Sequence, residues 1–249
     1  MHRKIPGSPL DLAAGRCPTI AFYHDLHSHS VDASDDAGGT VEGYLKWIVA
    51  RRKKGFQIDG FVLTEHRGFD PAVDYTELAA RYDLTVLRGA ELETTVGHVL
   101  VYGVTPALVQ EFDFRNVRIP YEDLFQAAKL HGGVAVGAHA GRRFIGLEEH
   151  VRERGVSLEH VNAVEALNGG SNDDENGRAT RFAEAHGLNS VGGSDAHYVS
   201  AIGRYLTAFE RPINSIEALV EELRYGQYHA VRVEDTVGRV VGAGGEDGA

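Results

Sequence analysis

The chain of 249 residues contains a single cysteine, Cys17, which excludes an internal disulfide and argues against a metal site built from thiolates. No apolar run approaches the ~18 residues of a membrane-spanning helix, so we predict no transmembrane segment. The first twenty residues lack the continuous apolar segment of a signal peptide. These absences together predict a protein of the cytoplasm without a membrane partner.

Basic residues are scarce relative to acids: 25 Lys and Arg stand against 36 Asp and Glu, a formal net charge of −11. Binding to long nucleic acid is dominated by Lys and Arg contacts with phosphate, so the balance favours a small-molecule partner. Several divalent cations in one pocket would reverse the local field, and an anionic substrate therefore remains compatible with an acidic chain. What the chain has in abundance is histidine, with 13 residues.

Short β-branched runs alternate with helical stretches, a pattern typical of βαβ units and a parallel sheet. We predict strands at residues 19–26, 60–64, 85–88, 98–102, 134–137, 163–167, 190–192 and 205–209. We predict helices at residues 41–54, 120–129, 175–186 and 215–225. The expected fold class is α/β, with a single barrel domain over residues 18–237, an extension at residues 1–17 and a flexible Gly-rich tail at residues 238–249.

Polar side chains follow the predicted strands. His27 and His29 lie two residues apart at the end of the first strand, so both imidazoles point to one face. Asp195 and His197 repeat this spacing after a late strand. Two side chains held on one face can bind a single cation, and the spacing therefore predicts metal ligands at both places.

Four further residues fit the same placement. His66, Glu91 and His139 each follow a strand, and His98 begins one. A lone histidine at a strand end is more often a satisfied hydrogen-bonding residue than a ligand. Barrel enzymes, however, place their sites at the carboxyl ends of the strands, and repeated coincidence there favours a site. Nitrogen and oxygen ligands without sulfur favour Zn²⁺, Mn²⁺ or Fe²⁺ over Ca²⁺ or Mg²⁺.

The ordered motifs DLHSHS followed by Asp35, LTEH, GAELE, GHVLVYG, GAHA and GGSDAH resemble those of the PHP family, the polymerase and histidinol phosphatase phosphoesterases. The resemblance runs from Asp25 to about Phe209, most of the chain. It implies a distorted (β/α)7 TIM-like barrel and a centre of up to three divalent metals. Two positions depart from the family pattern: Glu65 stands in place of Asp, and Ala140 in place of Pro.

The resemblance also implies three neighbouring ion sites, with one carboxylate shared by two of them. Site by site, the ligands are His27, His29, Glu91 and Asp195; Glu91, His98 and His139; and Asp35, His66 and His197. Glu165 and Asn168 take a supporting role in this scheme rather than a ligating one.

The predicted activity is hydrolysis of a small phosphate monoester of the nucleotide, sugar phosphate or histidinol phosphate class, with a metal-bridging hydroxide attacking phosphorus. Glu91, Asp195 and His197 are the candidate catalytic residues. Arg142 and Arg143 could bind the phosphate in bidentate fashion, although a solvated pair opening a helix explains them equally well. Either Asp195, His197 or a water could protonate the leaving group.

Two alternatives stand beside this hypothesis. An amidohydrolase-type enzyme also uses an HxH motif and a late Asp, but commonly adds a carboxylated lysine at a strand end, and no Lys occupies such a position here. A non-catalytic module stabilised by metal would bind a nucleotide or partner without turnover. Lost ligand positions would favour such a module, and every expected ligand position is filled.

Overall fold

The computed structural model describes residues 21–237, which form one nine-stranded sheet. The predicted extension at residues 1–17 and the predicted tail at residues 238–249 lie outside these residues. The strands are β1 (Phe22–Ser28), β2 (Gly60–His66), β3 (Thr85–Thr94), β4 (Gly97–Tyr102), β5 (Val134–Gly137), β6 (Ala163–Asn168), β7 (Asn189–Gly193), β8 (Tyr205–Phe209) and β9 (Tyr228–Arg232). Their order across the sheet is β7-β6-β5-β4-β3-β2-β1-β8-β9.

Most of the strands share one direction. β1, β2 and β3 pair in parallel, as do β5, β6 and β7. β4 runs antiparallel between β3 and β5, and β8 runs antiparallel between β1 and β9. In the described sheet seven strands therefore point the same way and two are reversed, so the predicted α/β class and TIM-like barrel are confirmed with two strands added to the expected seven.

The sheet curls until its far edge returns to β1. The amide of Gly192 in β7 donates to Thr207 Oγ1 in β8 over 2.9 Å. Beyond β7, the Asp195 amide donates to the His27 carbonyl over 2.8 Å, and the His29 amide donates to the Ala196 carbonyl over 2.9 Å. These bonds nearly close a barrel, and they bring the residues that follow β7 against the end of β1.

One buried cluster fills the inside of the barrel and contains a side chain from every strand of the sheet. Its strand members are Leu26, Val62, Leu87, Leu100, Tyr102, Val134, Val136, Ala163, Val191, Phe209 and Tyr228. The Tyr102 hydroxyl crosses this interior and donates to the Leu26 carbonyl over 2.9 Å. Such a packed interior leaves the strand ends as the place where polar side chains can gather.

The helices lie on the outside of the sheet. They are α1 (Val41–Arg52), α2 (Thr76–Ala80), α3 (Pro106–Glu111), α4 (Tyr121–Leu130), α5 (Leu147–Arg154), α6 (Asp173–His186) and α7 (Ile216–Tyr225). Thr40 caps α1 by accepting from the Gly43 amide, and Asn172 and Glu175 form a capping box at the start of α6. None of the helices described is long and apolar enough to cross a bilayer.

The sequence pattern located four of these helices to within three residues at each end, but it missed α2, α3, α5 and the strand β9. Two of the missed helices have five and six residues, too short to show a helical period. The strand β9 reads YHAVR, and its exposed His229 and Arg232 break the apolar run that marks a buried strand.

His24 in β1 is buried, and it makes the stability of the folded protein sensitive to acid. It is buried edge-on against Phe209, with ring centroids 6.2 Å apart, and it packs over Gly60. Burial lowers the pKa of His24 to about 4. Because the unfolded chain binds this proton near pH 6.5, the folded state loses stability as the pH falls from about 6.5 to 4.

We expect His24→Leu to remove this acid sensitivity. Between pH 7 and pH 4 the free energy of unfolding of the wild type should fall by about 3 kcal/mol more than that of the variant, because one proton no longer binds preferentially to the unfolded chain. Urea denaturation in the presence of a chelator, at matched pH values, measures the difference. Parallel pH profiles for the two proteins would contradict the assignment.

Candidate metal centre

Four side chains meet at the end of β1, just beyond β7 and within β3, where Glu91 lies three residues before the strand ends. His27 Nε2 lies 3.1 Å from both His29 Nε2 and Glu91 Oε2, and 3.5 Å from Asp195 Oδ1. His29 Nε2 lies 3.3 Å from Glu91 Oε2 and 3.3 Å from Asp195 Oδ1. A tetrahedral ion with ligand bonds of about 2.0–2.1 Å separates its ligands by about 3.3 Å. The donor set and these spacings therefore fit a divalent cation.

A β-bulge prepares this arrangement. The pairing of β1 with β2 shifts register between Asp25 and Ser28. Leu26 lies in the barrel interior, and the very next residue, His27, also turns inward to reach Glu91. A regular strand would place consecutive side chains on opposite faces, and a bulge allows the second one to be re-aimed.

Glu91 connects this first group to a second one. While its Oε2 faces His27 and His29, its Oε1 lies 2.9 Å from His98 Nδ1 and 3.0 Å from His139 Nε2. His98 begins a strand, yet it joins a site at strand ends because β4 is reversed. One carboxylate thus presents a separate oxygen to each of two groups, the geometry required of a bridging ligand.

A third group forms around His29, His66 and His197, whose nitrogen atoms lie close enough to hold one ion. The rings of His66 and His197 lie 4.1 and 4.4 Å from that of His29, measured between centroids. The acid that reaches this group is Asp36, whose Oδ2 lies 3.2 Å from His197 Nε2 and 3.4 Å from His66 Nε2. The resemblance implies Asp35 at this place; Asp35 lines the neighbouring cleft, and its role as a ligand stays a prediction.

The turn after β1 explains why Asp36 faces these two histidines. The Ser34 amide donates to the Ser30 carbonyl, and the Ala37 amide donates to the Ser34 carbonyl, so the chain winds tightly between them. The hydroxyls of Ser30 and Ser34 both donate to the buried Glu65 carboxylate over 2.6 Å. This anchoring sets which residue of the Asp-Asp pair turns to the histidines. The sequence shows only that Asp35 and Asp36 are adjacent, and it does not indicate which of them reaches the histidines.

Glu165 lies behind the histidines. Its Oε1 is 3.0 Å from His27 Nδ1, on the side of the ring that faces away from Glu91. Its Oε2 accepts from the His139 amide over 2.6 Å and from Asn168 Nδ2 over 2.9 Å. A carboxylate bonded to the far nitrogen fixes the orientation of an imidazole ligand and raises its basicity. Glu165 therefore supports His27 and does not join the groups in front of it.

The two arginines behave differently from each other. Arg142 Nη2 donates to Asp195 Oδ2 over 2.9 Å and to Asn168 Oδ1 over 2.7 Å, so this guanidinium lies beside the first group. Arg143 is exposed, and its side chain makes no hydrogen bond or ion pair with the residues that the structure describes. Arg142 is thus placed to orient Asp195, while Arg143 remains directed to solvent.

The charges of the centre reinforce one another. Burial raises the pKa of Glu91, but the charge of His27 and hydrogen bonds from His139, His27 and His29 outweigh burial and hold that pKa well below its usual range. Burial lowers the pKa of His27, while the carboxylates of Glu165, Asp195 and Glu91 raise it well above the usual value. A cation that bound there would displace the proton from His27, so metal uptake is coupled to proton release.

Two of the five described non-glycine residues with a positive φ belong to the centre. His139 and Asp195 have φ angles of 31° and 50°, in a region that residues other than glycine rarely adopt. Both residues lie two positions beyond a strand end, where the chain must turn sharply for the side chain to face the centre. Strained backbone is found most often where side-chain placement is under functional constraint.

A cleft of about 590 Å³ opens beside the centre. Its wall includes the imidazoles of His66 and His98, and its outer rim includes Arg67 and Arg115. This volume lies within the usual range of small-molecule sites, so the cleft has room for more than a phosphate group.

The comparisons with known proteins agree with the resemblance drawn from the motifs. The family model described as PHP-associated matches residues 173–228. A two-domain protein from Bacteroides vulgatus, containing a predicted PHP-like metal-dependent phosphoesterase, is 19% identical with a TM-score of 0.55, over 86% of this chain and 65% of that one. None of the curated proteins compared matches this chain.

Two further structures share the fold. The lesion-specific endonuclease Q of Pyrococcus furiosus is 16% identical with a TM-score of 0.57, over 85% of this chain and 58% of that one. An amidohydrolase from Chromobacterium violaceum, with bound sulfate and no metal, is 18% identical with a TM-score of 0.54, over 84% of this chain and 98% of that one. The chain spans less than two thirds of the Bacteroides and Pyrococcus proteins. Since one fold hosts several reactions, these likenesses establish the architecture alone.

We expect Glu165→Gln to weaken metal binding by about 10- to 100-fold, because the amide keeps the size of the side chain but loses the charge that supports His27. Titration against a competing chelator measures the affinity, and far-UV circular dichroism checks that the variant is folded. Glu159→Gln changes an exposed glutamate and serves as the matched control. Equal affinities for the two variants would rule out the supporting role.

Proposed function

We propose that the chain is a PHP-like metal-dependent phosphoesterase that hydrolyses a small phosphate monoester. The observation that carries this proposal is Glu91, whose two oxygens face two separate groups of ligands. The His, Glu and Asp clusters fit divalent cations, and up to three transition metals such as Zn²⁺, Mn²⁺ or Fe²⁺ suit this donor set. The phosphatase hypothesis rests on these donors together with the volume of the neighbouring cleft.

Bound cations would act there as Lewis acids towards water and the phosphate oxygens. The residues of the chain supply the rest. Glu91 would contribute one oxygen to each of the first two groups, while Glu165 keeps the His27 ring oriented towards the centre. Arg142, tied to Asp195, would present its remaining N–H groups to a phosphate oxygen beside the first group.

Asp195 is poorly suited to transfer a proton to the leaving group. Burial raises the pKa of Asp195, but the charge of His27 and the bond from His29 outweigh burial and hold this pKa below its usual range. The Asp195 carboxylate is moreover occupied by His27, His29 and Arg142. His197 is partly exposed, and its Nε2 points towards Asp36 rather than into the interior.

The amidohydrolase alternative finds less support. Its usual carboxylated lysine would have to lie among the ligands at a strand end. All lysines among residues 21–237 are exposed, and none is at a strand end: Lys46, Lys53, Lys54 and Lys129. Glu91 occupies the bridging place instead.

A nucleic-acid substrate is the other alternative, since the similar endonuclease Q acts on lesion-bearing DNA by its name. The net charge of −11 disfavours a long polyanion at a surface without bound cations. We therefore propose a small phosphate ester, with duplex DNA included as a comparison substrate in the screen below.

We expect His27→Ala, Glu91→Ala and Asp195→Ala to reduce both metal content and turnover to background while the protein stays folded. Each substitution removes a donor from the first group of ligands. Metal analysis and a p-nitrophenyl phosphate assay measure the two effects. His229→Ala removes an exposed histidine of β9 and is the control. Full activity in any of the three variants at matched metal content would contradict the ligand role of that residue.

We also expect the Mn²⁺-loaded protein to hydrolyse small phosphate monoesters and a chelator to abolish this activity. A library of nucleotides, sugar phosphates and histidinol phosphate, run beside duplex DNA and amide substrates, tests the class. Bound metal without turnover of any phosphate ester would favour a non-catalytic, metal-stabilised module. Turnover of DNA or amides alone would replace the phosphatase hypothesis with the matching alternative.

A further inference from the structure

The cleft beside the metal centre has an outer rim that none of the proposed chemistry uses. Its lining includes His66 and His98, two of the candidate ligands, so a substrate in the cleft would lie beside the centre. The basic side chains of the rim are Arg67 and Arg115. Neither was a candidate site residue in the sequence, because Arg67 follows a strand-end histidine and Arg115 lies in a loop without a motif.

Arg67 is already committed to a neighbour. Its Nε donates to Glu93 Oε1 over 2.7 Å, and its Nη2 contacts the same oxygen. Its backbone has a φ of 54°, which holds the residue in a turn directly after His66. The pair neutralises Glu93 and leaves the remaining N–H groups of Arg67 on the cleft.

Arg115 is held near the same point but has no acidic partner. Its loop is fastened to the end of β3, because the Ile119 amide donates to the Glu93 carbonyl over 3.2 Å and the Thr95 amide donates to the Ile119 carbonyl over 3.0 Å. The Arg115 amide donates to Asp113 Oδ1, but its guanidinium makes no hydrogen bond or ion pair within residues 21–237. One positive charge in the cleft is therefore uncommitted.

The carboxylates that line the cleft do not pair with the Arg115 guanidinium. Asp36 faces His66 and His197, Glu93 is paired with Arg67, and the charge of Asp35 also acts on Arg67, so none of the lining carboxylates is paired with Arg115. Cations at the centre would further shift the field in the cleft towards positive. A substrate that reached from the centre to Arg115 would gain from carrying a second negative group there.

We infer that Arg115, supported by Arg67, forms a subsite for a second anionic phosphate on the substrate, remote from the phosphate that is hydrolysed. This inference rests on the proposed function, since it takes the metal centre as the place of the scissile phosphate. The shared chemistry is a bisphosphorylated small molecule, and the carrier could be a nucleoside, a sugar or a short oligonucleotide. Guanidinium groups bind phosphate with charge-assisted hydrogen bonds in a fixed planar geometry.

Direct binding tests the subsite without any turnover. The probes are non-hydrolysable alkane bisphosphonates of increasing length and the matching alkyl monophosphonates, titrated calorimetrically into the full-length Mn²⁺-loaded protein. We expect at least one bisphosphonate to bind about ten-fold more tightly than its monophosphonate, as one charged hydrogen-bonded contact provides. The preference should weaken as salt is raised, because the rim is exposed.

Arg115→Ala should reduce the preference to about one-fold, and Arg115→Lys should restore part of it. Arg118→Ala is the matched control, since Arg118 is an exposed arginine of the same loop that does not line the cleft. Loss of the preference in Arg115→Ala with its retention in Arg118→Ala supports the subsite. No preference at any length, or equal losses in the two alanine variants, would overturn it.

Kinetics separate this inference from the proposed function. The ratio of kcat/KM for a nucleoside bisphosphate over its monophosphate, and the same ratio for a sugar bisphosphate, show which carrier the cleft accepts. Binding preference without turnover of any phosphate ester would refute the phosphatase proposal and leave the subsite standing. Turnover of monophosphates with no preference for a second phosphate would do the reverse.

Discussion

A buried carboxylate that faces imidazoles on two sides is the feature on which the rest of this structure depends. Glu91 is 2% exposed and has five histidine nitrogens within 3.3 Å of its two oxygens. Burying such a charge is unfavourable unless charged or hydrogen-bonding partners surround it. The surrounding donors meet that requirement only because four other segments, β1, β2, β4 and the turn after β5, reach the Glu91 carboxylate.

Several departures from regular structure serve this convergence. A bulge in β1 turns His27 inward, and the reversal of β4 brings His98 to an edge otherwise formed by strand ends. Positive φ angles turn His139 and Asp195 towards the centre. Behind them, a continuous set of hydrogen bonds runs from Glu165 through Asn168 and Arg142 to Asp195. The side chains that position one ligand therefore also contact those that position another.

The surroundings of the centre are compatible with the anionic substrate proposed above, although the protein is acidic. The carboxylates that lie nearest the histidines are committed to them, and the positive side chains at the cleft lie at its outer rim. Cations at the centre and arginines at the rim would act on the same substrate from two ends. The overall charge of the chain is therefore a poor guide to the field inside this cleft.

The sequence by itself determined the α/β class, the resemblance to a family and the places where ligands should gather. Those properties follow from local patterns: alternating apolar runs, the two-residue spacing of His27 and His29, and histidines placed directly after strands. Only the tertiary structure decided that Asp36 rather than Asp35 reaches His66 and His197, and that Arg142 turns to Asp195 while Arg143 turns to solvent. Neighbours in sequence differ there because the choice depends on how a turn is anchored by distant residues such as Glu65, and local patterns carry no record of such anchoring.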